Sequence, residues 1–91
     1  LGVGHDPEAA VKWMRKAAEQ GHAVAQHGFG FMFMEGDGVD KDMNEAVKWF
    51  TLAAEQGLAG SQTTLAMIFE EGNGVEKDPE LAKEWYAKAG F

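Results

Sequence analysis

The apolar residues of this 91-residue chain recur at the spacing of amphipathic helices, and the whole pattern repeats every 36 residues. In one type of helix, here called helix B, apolar or small residues fall at positions i, i+3, i+4 and i+7. Three such stripes occur: Ala10, Trp13, Met14 and Ala17; Ala46, Trp49, Phe50 and Ala53; and Ala82, Trp85, Tyr86 and Ala89. The stripes predict the buried faces of three helices, running from about Pro7 to Gln20, Met43 to Gln56 and Pro79 to Ala89.

A second type of helix, helix A, lies between successive helices B. Its apolar stripes are Ala25, Phe29, Met32 and Phe33, aligned with Ser61, Leu65, Ile68 and Phe69. Gly30 and Ala66 hold a small position in this helix, at which two helices can approach closely. The pattern predicts helices from about Ala23 to Glu35 and from about Ala59 to Glu71, and hence the order B-A-B-A-B.

Capping residues mark where these helices begin and end. Asp6 and Asp78 each precede a proline, which places an N-cap carboxylate before a residue suited to the first helical position. Asp42 is followed three residues later by Glu45, the spacing of a capping box. Glycines follow the predicted C-termini and permit a positive φ there: Gly21, Gly57, Gly36-Asp37-Gly38 and Gly72-Asn73-Gly74.

A fixed period of this length is the mark of a stacked repeat array, whose core forms between the faces of neighbouring helices. We therefore expect one all-α repeat domain over residues 1–91. It divides into a half repeat at 1–21, a repeat at 22–57, and a repeat at 58–91 that lacks its final residues.

Charge and composition exclude several functional classes. The formal net charge of −7 disfavours binding to nucleic acid or to an acidic membrane surface. The absence of cysteine excludes a disulfide framework, a thiol nucleophile and a zinc-thiolate site. No apolar run is long enough to span a membrane and no signal peptide is visible, which leaves the compartment undecided.

Metal sites are not predicted. His22 and His27 are five residues apart, so their rings do not stack on one helix face as an i, i+4 pair would. The acidic loop beginning at Asp37 does not match a calcium loop, because its third and fifth positions are Val39 and Lys41. A glycine turn leading into an N-cap explains the same acidic residues.

Catalytic motifs are also missing from the sequence. Gly36-x-Gly38 lacks the third glycine of a phosphate-binding loop and follows a helix rather than a strand. Ser61 is the only serine and aligns with the small core residue Ala25. We expect no catalytic residue, no cofactor and no enzymatic activity.

The repeat resembles a known family. The similarity rests on the run Ala25-Gln26-x-x-Phe29-Gly30-x-Met32-Phe33-x-x-Gly36-x-Gly38-Val39-x-x-Asp42-x-x-x-Ala46-x-x-Trp49-Phe50-x-x-Ala53-Ala54-Glu55-Gln56-Gly57. This run is similar to the Sel-one-like repeat, a relative of the tetratricopeptide repeat with a longer loop between its helices. The resemblance covers essentially the whole chain, as about two and a half repeats. It departs from the family pattern at Phe33 and Phe69, where Tyr is frequent, at Ala66, and at Gly90-Phe91.

The resemblance implies a right-handed α-solenoid of antiparallel helix pairs, five helices here, with a concave surface lined by helix A. Such proteins mostly act as scaffolds or adaptors that hold protein or peptide partners. A secreted, cysteine-rich branch has been linked to β-lactam binding. The lack of cysteine argues against that branch, so a β-lactam-binding or hydrolase-like function is the weaker alternative.

Aligning helix A with the tetratricopeptide pattern selects the residues of a partner surface. These positions are Val24, His27, Phe31 and Met34, then Gly60, Thr63, Met67 and Glu70. Phe31, Met34 and Met67 are apolar but lie off the core stripe, and exposed apolar residues of this kind mark interaction patches. We expect them to provide affinity for a protein or peptide, while His27, Thr63 and Glu70 set its register. The competing interpretation is that neighbouring helices B cover the apolar positions.

The ends of the array suggest a second role. Helix B at Trp13 and helix B at Trp85 each lack an outer neighbour, and Phe91 follows the last helix. An uncapped repeat face is apolar. Missing repeats, a homodimer or domain exchange would each bury these faces. Self-association as a homo-oligomer through Trp13, Trp85 and Phe91 is the alternative to an adaptor.

Overall fold

Residues 6–91 are described by a computed structural model, and five α-helices account for most of this range. The helices are α1 (Pro7–Glu19), α2 (Ala23–Glu35), α3 (Met43–Glu55), α4 (Ala59–Glu71) and α5 (Pro79–Ala89). No strand occurs between residues 6 and 91. The predicted all-α order of five helices is confirmed, and α1 and α3 each end one residue before the predicted glutamine. The first five residues of the predicted half repeat lie outside the described residues.

Side-chain caps begin the three helices B. The Asp42 carboxylate accepts hydrogen bonds from the backbone N–H groups of Asn44 (3.0 Å) and Glu45 (3.2 Å). In a complete capping box the Glu45 side chain would accept a hydrogen bond from the backbone N–H of Asp42. That bond is not formed, because the Asp42 N–H donates instead to the carbonyl of Phe33 at 2.9 Å. The bond to Phe33 ties the start of α3 to the end of α2. Asp78 caps α5 in the same way, through Leu81 N–H at 3.1 Å.

Glycine with positive φ forms the turn between helices A and B. At Gly74, φ is +74°, a conformation that side chains other than glycine rarely adopt. A β-carbon at this position would also overlap the side chain of Met43. Only glycine satisfies both conditions at this turn.

The helices pack in sequence along an elongated molecule of 46 × 23 × 22 Å. The tightest pairs are α2 with α3 and α4 with α5, while α1 packs on α2 and α3 packs on α4. Each tight pair is therefore one helix A followed by one helix B, and α1 is a helix B without such a mate among the described residues.

Two buried clusters hold this arrangement together. The first comprises Met43, Ala46, Phe50, Ala54, Leu65 and Ile68. The second comprises Ala18, Phe29, Met32 and Trp49. Phe50 is fully buried, and its ring lies against Gly30, where a β-carbon would come within 3.0 Å of it. The small position predicted in helix A thus allows α3 to approach α2.

One predicted core position is wrong. Trp13, Trp49 and Trp85 occupy the same position in successive helices B, yet Trp49 is 8% exposed and Trp13 is 75% exposed. Trp49 is covered by α2, whose Phe29 ring lies 5.1 Å from it between centroids. Nothing in the described part of the chain covers the corresponding side of α1. Trp85 is half-buried against the first cluster.

Candidate partner-binding surface

A hydrogen bond between two side chains links the two helices A. The Nδ1 atom of His27 in α2 lies 2.6 Å from the hydroxyl oxygen of Ser61 in α4. Ser61 is fully buried, so its hydroxyl is held between the helices and is not accessible to solvent. The bond joins α2 to α4, the helices A of successive repeats.

Two aromatic rings of the same repeat pack against His27. Phe31 packs edge-on at 5.0 Å between centroids, and Phe50 does so at 5.2 Å. Partial burial lowers the pKa of His27 below its usual 6.5, because desolvation disfavours the charged imidazolium. His27 is thus a half-buried residue of α2.

Exposed apolar side chains flank this histidine. Val24 and Phe31 of α2 are 74% and 38% exposed, and Met67 of α4 is 47% exposed. Thr63 is half-buried, and its hydroxyl donates to the carbonyl of Ala59 at 3.0 Å. We call the face defined by six residues the α2–α4 surface: Val24, His27, Phe31, Thr63, Met67 and Glu70.

Glu70 lies near the C-terminal end of α4 and is fixed by the last helix. The Tyr86 hydroxyl donates a hydrogen bond to its Oε1 at 3.0 Å. Partial burial raises the pKa of Tyr86, and the hydrogen bond and negative charge of Glu70 add to this effect, with a smaller contribution from Glu71. The Glu70 carboxylate is therefore an oriented anion at one end of the α2–α4 surface.

Met34, the remaining apolar residue of the predicted partner surface, lies elsewhere. It is half-buried and packs against the first core cluster, which contains Met43 of α3. Helical spacing placed Met34 off the core stripe of α2. That stripe is broader near the end of α2 because α3 returns close to it. The last predicted position, Gly60, lies beside His27, with 3.9 Å between a β-carbon placed there and the imidazole Cε1.

Buried glutamines, not predicted from the sequence, join successive repeats. Gln26 and Gln62 are 36 residues apart, and both are buried. Their amide groups donate to the carbonyls of Ala18 (3.2 Å) and Ala54 (3.0 Å) respectively, near the C-terminus of the preceding helix B. The sequence does carry a signal for these glutamines. A polar residue that recurs at the repeat period beside an apolar stripe indicates a buried hydrogen bond between repeats.

The residues predicted to mediate self-association differ in exposure. Trp13 lies exposed on α1, and Phe91 is exposed after α5, where its ring packs edge-on against Tyr86 at 5.6 Å between centroids. Trp85 packs into the core, with the ammonium group of Lys88 5.4 Å from its ring. Of the three predicted contact residues, the two exposed ones thus lie on the first helix and after the last helix.

Metal-binding groups and membrane-spanning helices were also sought in residues 6–91. No cluster of three or more His, Cys, Asp or Glu side chains there has the proximity needed to hold a metal ion. None of the helices in that range has the length and apolarity to cross a membrane.

The repeat geometry agrees with a known family. The Sel1 repeat model matches residues 1–22, 23–58 and 59–90. The chain belongs to the Sel1 repeat family. The second and third matched segments each contain one tight helix pair, α2 with α3 and α4 with α5, and the first contains α1 alone. The family resemblance seen in the sequence is confirmed.

Two solved structures share this fold. A Sel1 repeat protein from Oxalobacter formigenes is 43% identical, with a TM-score of 0.88 over 97% of this chain. The protective antigen c5321, present in uropathogenic Escherichia coli strains and displaying an SLR fold, is 48% identical, with a TM-score of 0.84 over 87%. The chain spans only 36% and 17% of the lengths of these two proteins. No curated protein matches the sequence.

Proposed function

We propose that this Sel1 repeat chain is a non-enzymatic adaptor that binds a peptide or helix of another protein on its α2–α4 surface. The observation that carries the proposal is that Phe31 and Met67 stay exposed on complete, well-packed repeats. Neighbouring helices B cover Met34 but leave these two side chains accessible. Exposed apolar residues grouped on one face mark an interaction site.

The polar residues of the surface would orient such a partner. The Nδ1 atom of His27 is engaged with Ser61, so Nε2 is the imidazole nitrogen left to bond a partner's backbone or side chain. The Glu70 carboxylate, held by Tyr86, would favour a basic group at the matching end of the partner. The net charge of −7 agrees with a neutral or basic partner.

A capture experiment tests the proposal. The wild-type chain and Phe31→Glu/Met67→Glu serve as baits, after circular dichroism shows that both are helical. Captured proteins are identified by mass spectrometry, purified, and titrated against each bait by calorimetry. We expect one partner to bind the wild type and to lose at least about tenfold in affinity for the double variant.

A matched control separates the surface from a general effect of charge. Leu52→Glu/Phe91→Glu adds the same two charges at exposed apolar positions on α3 and after α5. This variant should bind like the wild type. Equal binding by all three chains, or no partner for any of them, would contradict an adaptor role for the α2–α4 surface.

Self-association is the second candidate function, because Trp13 and Phe91 expose aromatic rings on the first helix and after the last helix. Sedimentation velocity over a hundredfold range of concentration measures it directly. A mass that rises with concentration, and falls to that of a monomer on Trp13→Ala or Phe91→Ala, would favour this function. A monomer at every concentration would exclude it.

A further inference from the structure

Methionine supplies all the sulfur of this chain, because the sequence has five methionines and no cysteine. A peroxide oxidises the thioether sulfur of methionine to a sulfoxide, and it must reach the sulfur atom to do so. The packing of the helices therefore decides which methionine reacts first.

Four of the methionines are packed between helices. Met32 and Met43 are buried members of the two core clusters, and Met34 is half-buried against the first cluster. Met14 is half-buried on α1, with its sulfur 3.1 Å from a β-carbon placed at Gly28 of α2. Neighbouring helices restrict the access of solvent to each of these four sulfur atoms.

Met67 of α4 is the exception, since its side chain is 47% exposed. Within residues 6–91 it belongs to neither core cluster and is not among the side chains packed against them. Phe31 holds the same position one repeat earlier and packs edge-on against Phe50. The α2–α4 surface thus presents two equivalent apolar residues, of which only the one on α4 carries a sulfur atom.

We propose that Met67 is a site of reversible oxidation by hydrogen peroxide, and that its sulfoxide makes the apolar part of the α2–α4 surface on α4 polar. The thioether sulfur attacks one peroxide oxygen, the O–O bond breaks, and the second oxygen leaves as water after proton transfer. The sulfur loses two electrons and the peroxide gains them. Methionine sulfoxide reductases reverse the change, with water as one product and a dithiol that becomes a disulfide as the electron source.

Oxidation of Met67 changes the surface and leaves the fold intact. The sulfoxide oxygen forms where solvent already has access, so no polar group is buried without a hydrogen bond. A partner that packs on this site must remove water from the sulfoxide, which opposes binding. This effect on binding rests on the proposed adaptor function, whereas the selective oxidation does not.

Peroxide treatment of the folded 91-residue chain tests the selectivity. Samples taken during exposure to dilute hydrogen peroxide at pH 7.5 are quenched with catalase, and peptide mapping by tandem mass spectrometry gives the sulfoxide fraction at each methionine. We expect Met67 to oxidise at least about fivefold faster than Met14 or Met34, and faster still than the buried methionines. The same treatment in concentrated guanidinium chloride should remove most of this difference, because all five sulfur atoms are then accessible.

Met67→Phe is the matched control, because Phe31 already occupies this position in the preceding repeat. Hydrophobic-interaction chromatography of the folded chain measures the apolar surface without a partner. The wild type oxidised at Met67 should elute earlier than the untreated chain, and reductases of both stereospecificities should restore its retention. Met67→Phe should elute at the same volume before and after treatment. Urea denaturation midpoints of the wild type should not change on selective oxidation.

The partner identified by the capture experiment provides the measurement of binding. Its affinity should fall at least about fivefold for the Met67 sulfoxide and recover after reduction. Its affinity for Met67→Phe should be the same before and after peroxide treatment.

Two results would overturn the proposed oxidation site. One is oxidation of Met14 or of a buried methionine in the folded chain at the rate of Met67 or faster. The other is an unchanged chromatographic retention of the chain oxidised at Met67.

The binding measurement separates this proposal from the adaptor function. A partner that loses affinity for Phe31→Glu/Met67→Glu but binds the sulfoxide unchanged would overturn the effect of oxidation on binding and support the adaptor. Selective oxidation with the expected change in retention, but with no captured partner, would support the oxidation site and contradict the adaptor.

Discussion

His27 and Thr63 occupy the same position in successive repeats but use their side chains differently. The imidazole of His27 bonds to Ser61 in the next helix A, whereas the hydroxyl of Thr63 donates to Ala59 in its own helix. His27 has a neighbouring helix A to contact within the chain, and the structure describes none beyond Thr63. The same repeat position therefore joins helices in one place and borders open surface in the other.

The altered pKa of His27 predicts a loss of stability in mild acid. Its folded-state pKa lies below 6.5, so between that lower value and pH 6.5 the unfolded chain binds more protons than the folded chain. The free energy of unfolding should therefore fall as pH decreases through 6.5. Urea denaturation midpoints at pH 7.5 and 5.5 measure this fall.

Replacing the histidine isolates its contribution to the pH dependence. His27→Gln should reduce the change in midpoint between pH 7.5 and 5.5, while His22→Gln, at an exposed position, should leave the change as it is in the wild type. An unaltered pH dependence in His27→Gln would contradict the assignment.

Substitutions at two glycines measure the cost of backbone strain separately from the cost of steric overlap. Gly57 and Gly74 both have positive φ, but a β-carbon would overlap a neighbouring side chain, that of Met43, only at Gly74. Gly57→Ala should cost about 1–3 kcal/mol from the unfavourable backbone conformation. Gly74→Ala should lose a further 1–3 kcal/mol or so through overpacking. Chemical denaturation of both variants gives the difference, and equal losses would show that Met43 moves away freely.

At the scale of whole helices, α2 shows how an element that is apolar on nearly all sides is accommodated. Phe29 and Met32 are buried with α1 and α3, and the guanidinium of Arg15 in α1 lies 5.5 Å from the Phe29 ring. Met34 packs against the other core cluster. The ring of Phe31 packs edge-on against Phe50 and remains partly exposed. Neighbouring helices thus cover most of α2 and leave one strip for the α2–α4 surface.

The contrast between Phe50 and Phe31 predicts very different costs for the same substitution. Phe50 is fully buried between helices, so Phe50→Ala should cost about 3–5 kcal/mol in free energy of unfolding. Phe31→Ala removes a partly exposed ring and should cost less than half as much. Phe50→Leu provides a milder variant if the alanine variant does not fold. Thermal and urea denaturation measure all three, and similar losses for the two alanine variants would contradict this packing.

The whole molecule is an open row of helices whose two ends are not equivalent. Only Ala18 of α1 is fully buried among the described side chains of that helix, whereas α3 contributes six buried residues. In such an array each element is stabilised only by its nearest neighbours. The last helix, α5, also has one buried residue, Ala82, but it packs more tightly on α4 than α1 packs on α2. Among the described helices the first is therefore the least supported.

Hydrogen exchange should reveal this gradient. We expect backbone amides of α1 to exchange fastest among the five helices, and those of α3 to be the most protected, because opening α3 disrupts both core clusters. Amide exchange followed by mass spectrometry or NMR provides the measurement. Uniform protection across all helices would show that the array opens only as one unit.

The local sequence predicted the helices and their repeat register because the signals involved are themselves local. Aspartate caps, glycine turns and apolar spacing act within one or two turns of the backbone, and the structure follows them to within one residue at each helix end. Recurrence at 36 residues further predicted that the helices stack, since a repeated apolar face needs a repeated neighbour. These features also identified Phe31 and Met67 as exposed apolar positions.

Only the tertiary structure decided which equivalent residues are covered. Trp13 and Trp49 have the same place in the helical pattern, but burial depends on whether a paired helix lies against that face. The bond between His27 and Ser61, and the packing of Met34 against α3, likewise depend on contacts between residues far apart in sequence. A repeat sequence specifies what each face can pack against, and the position of a repeat within the array determines whether that partner is present.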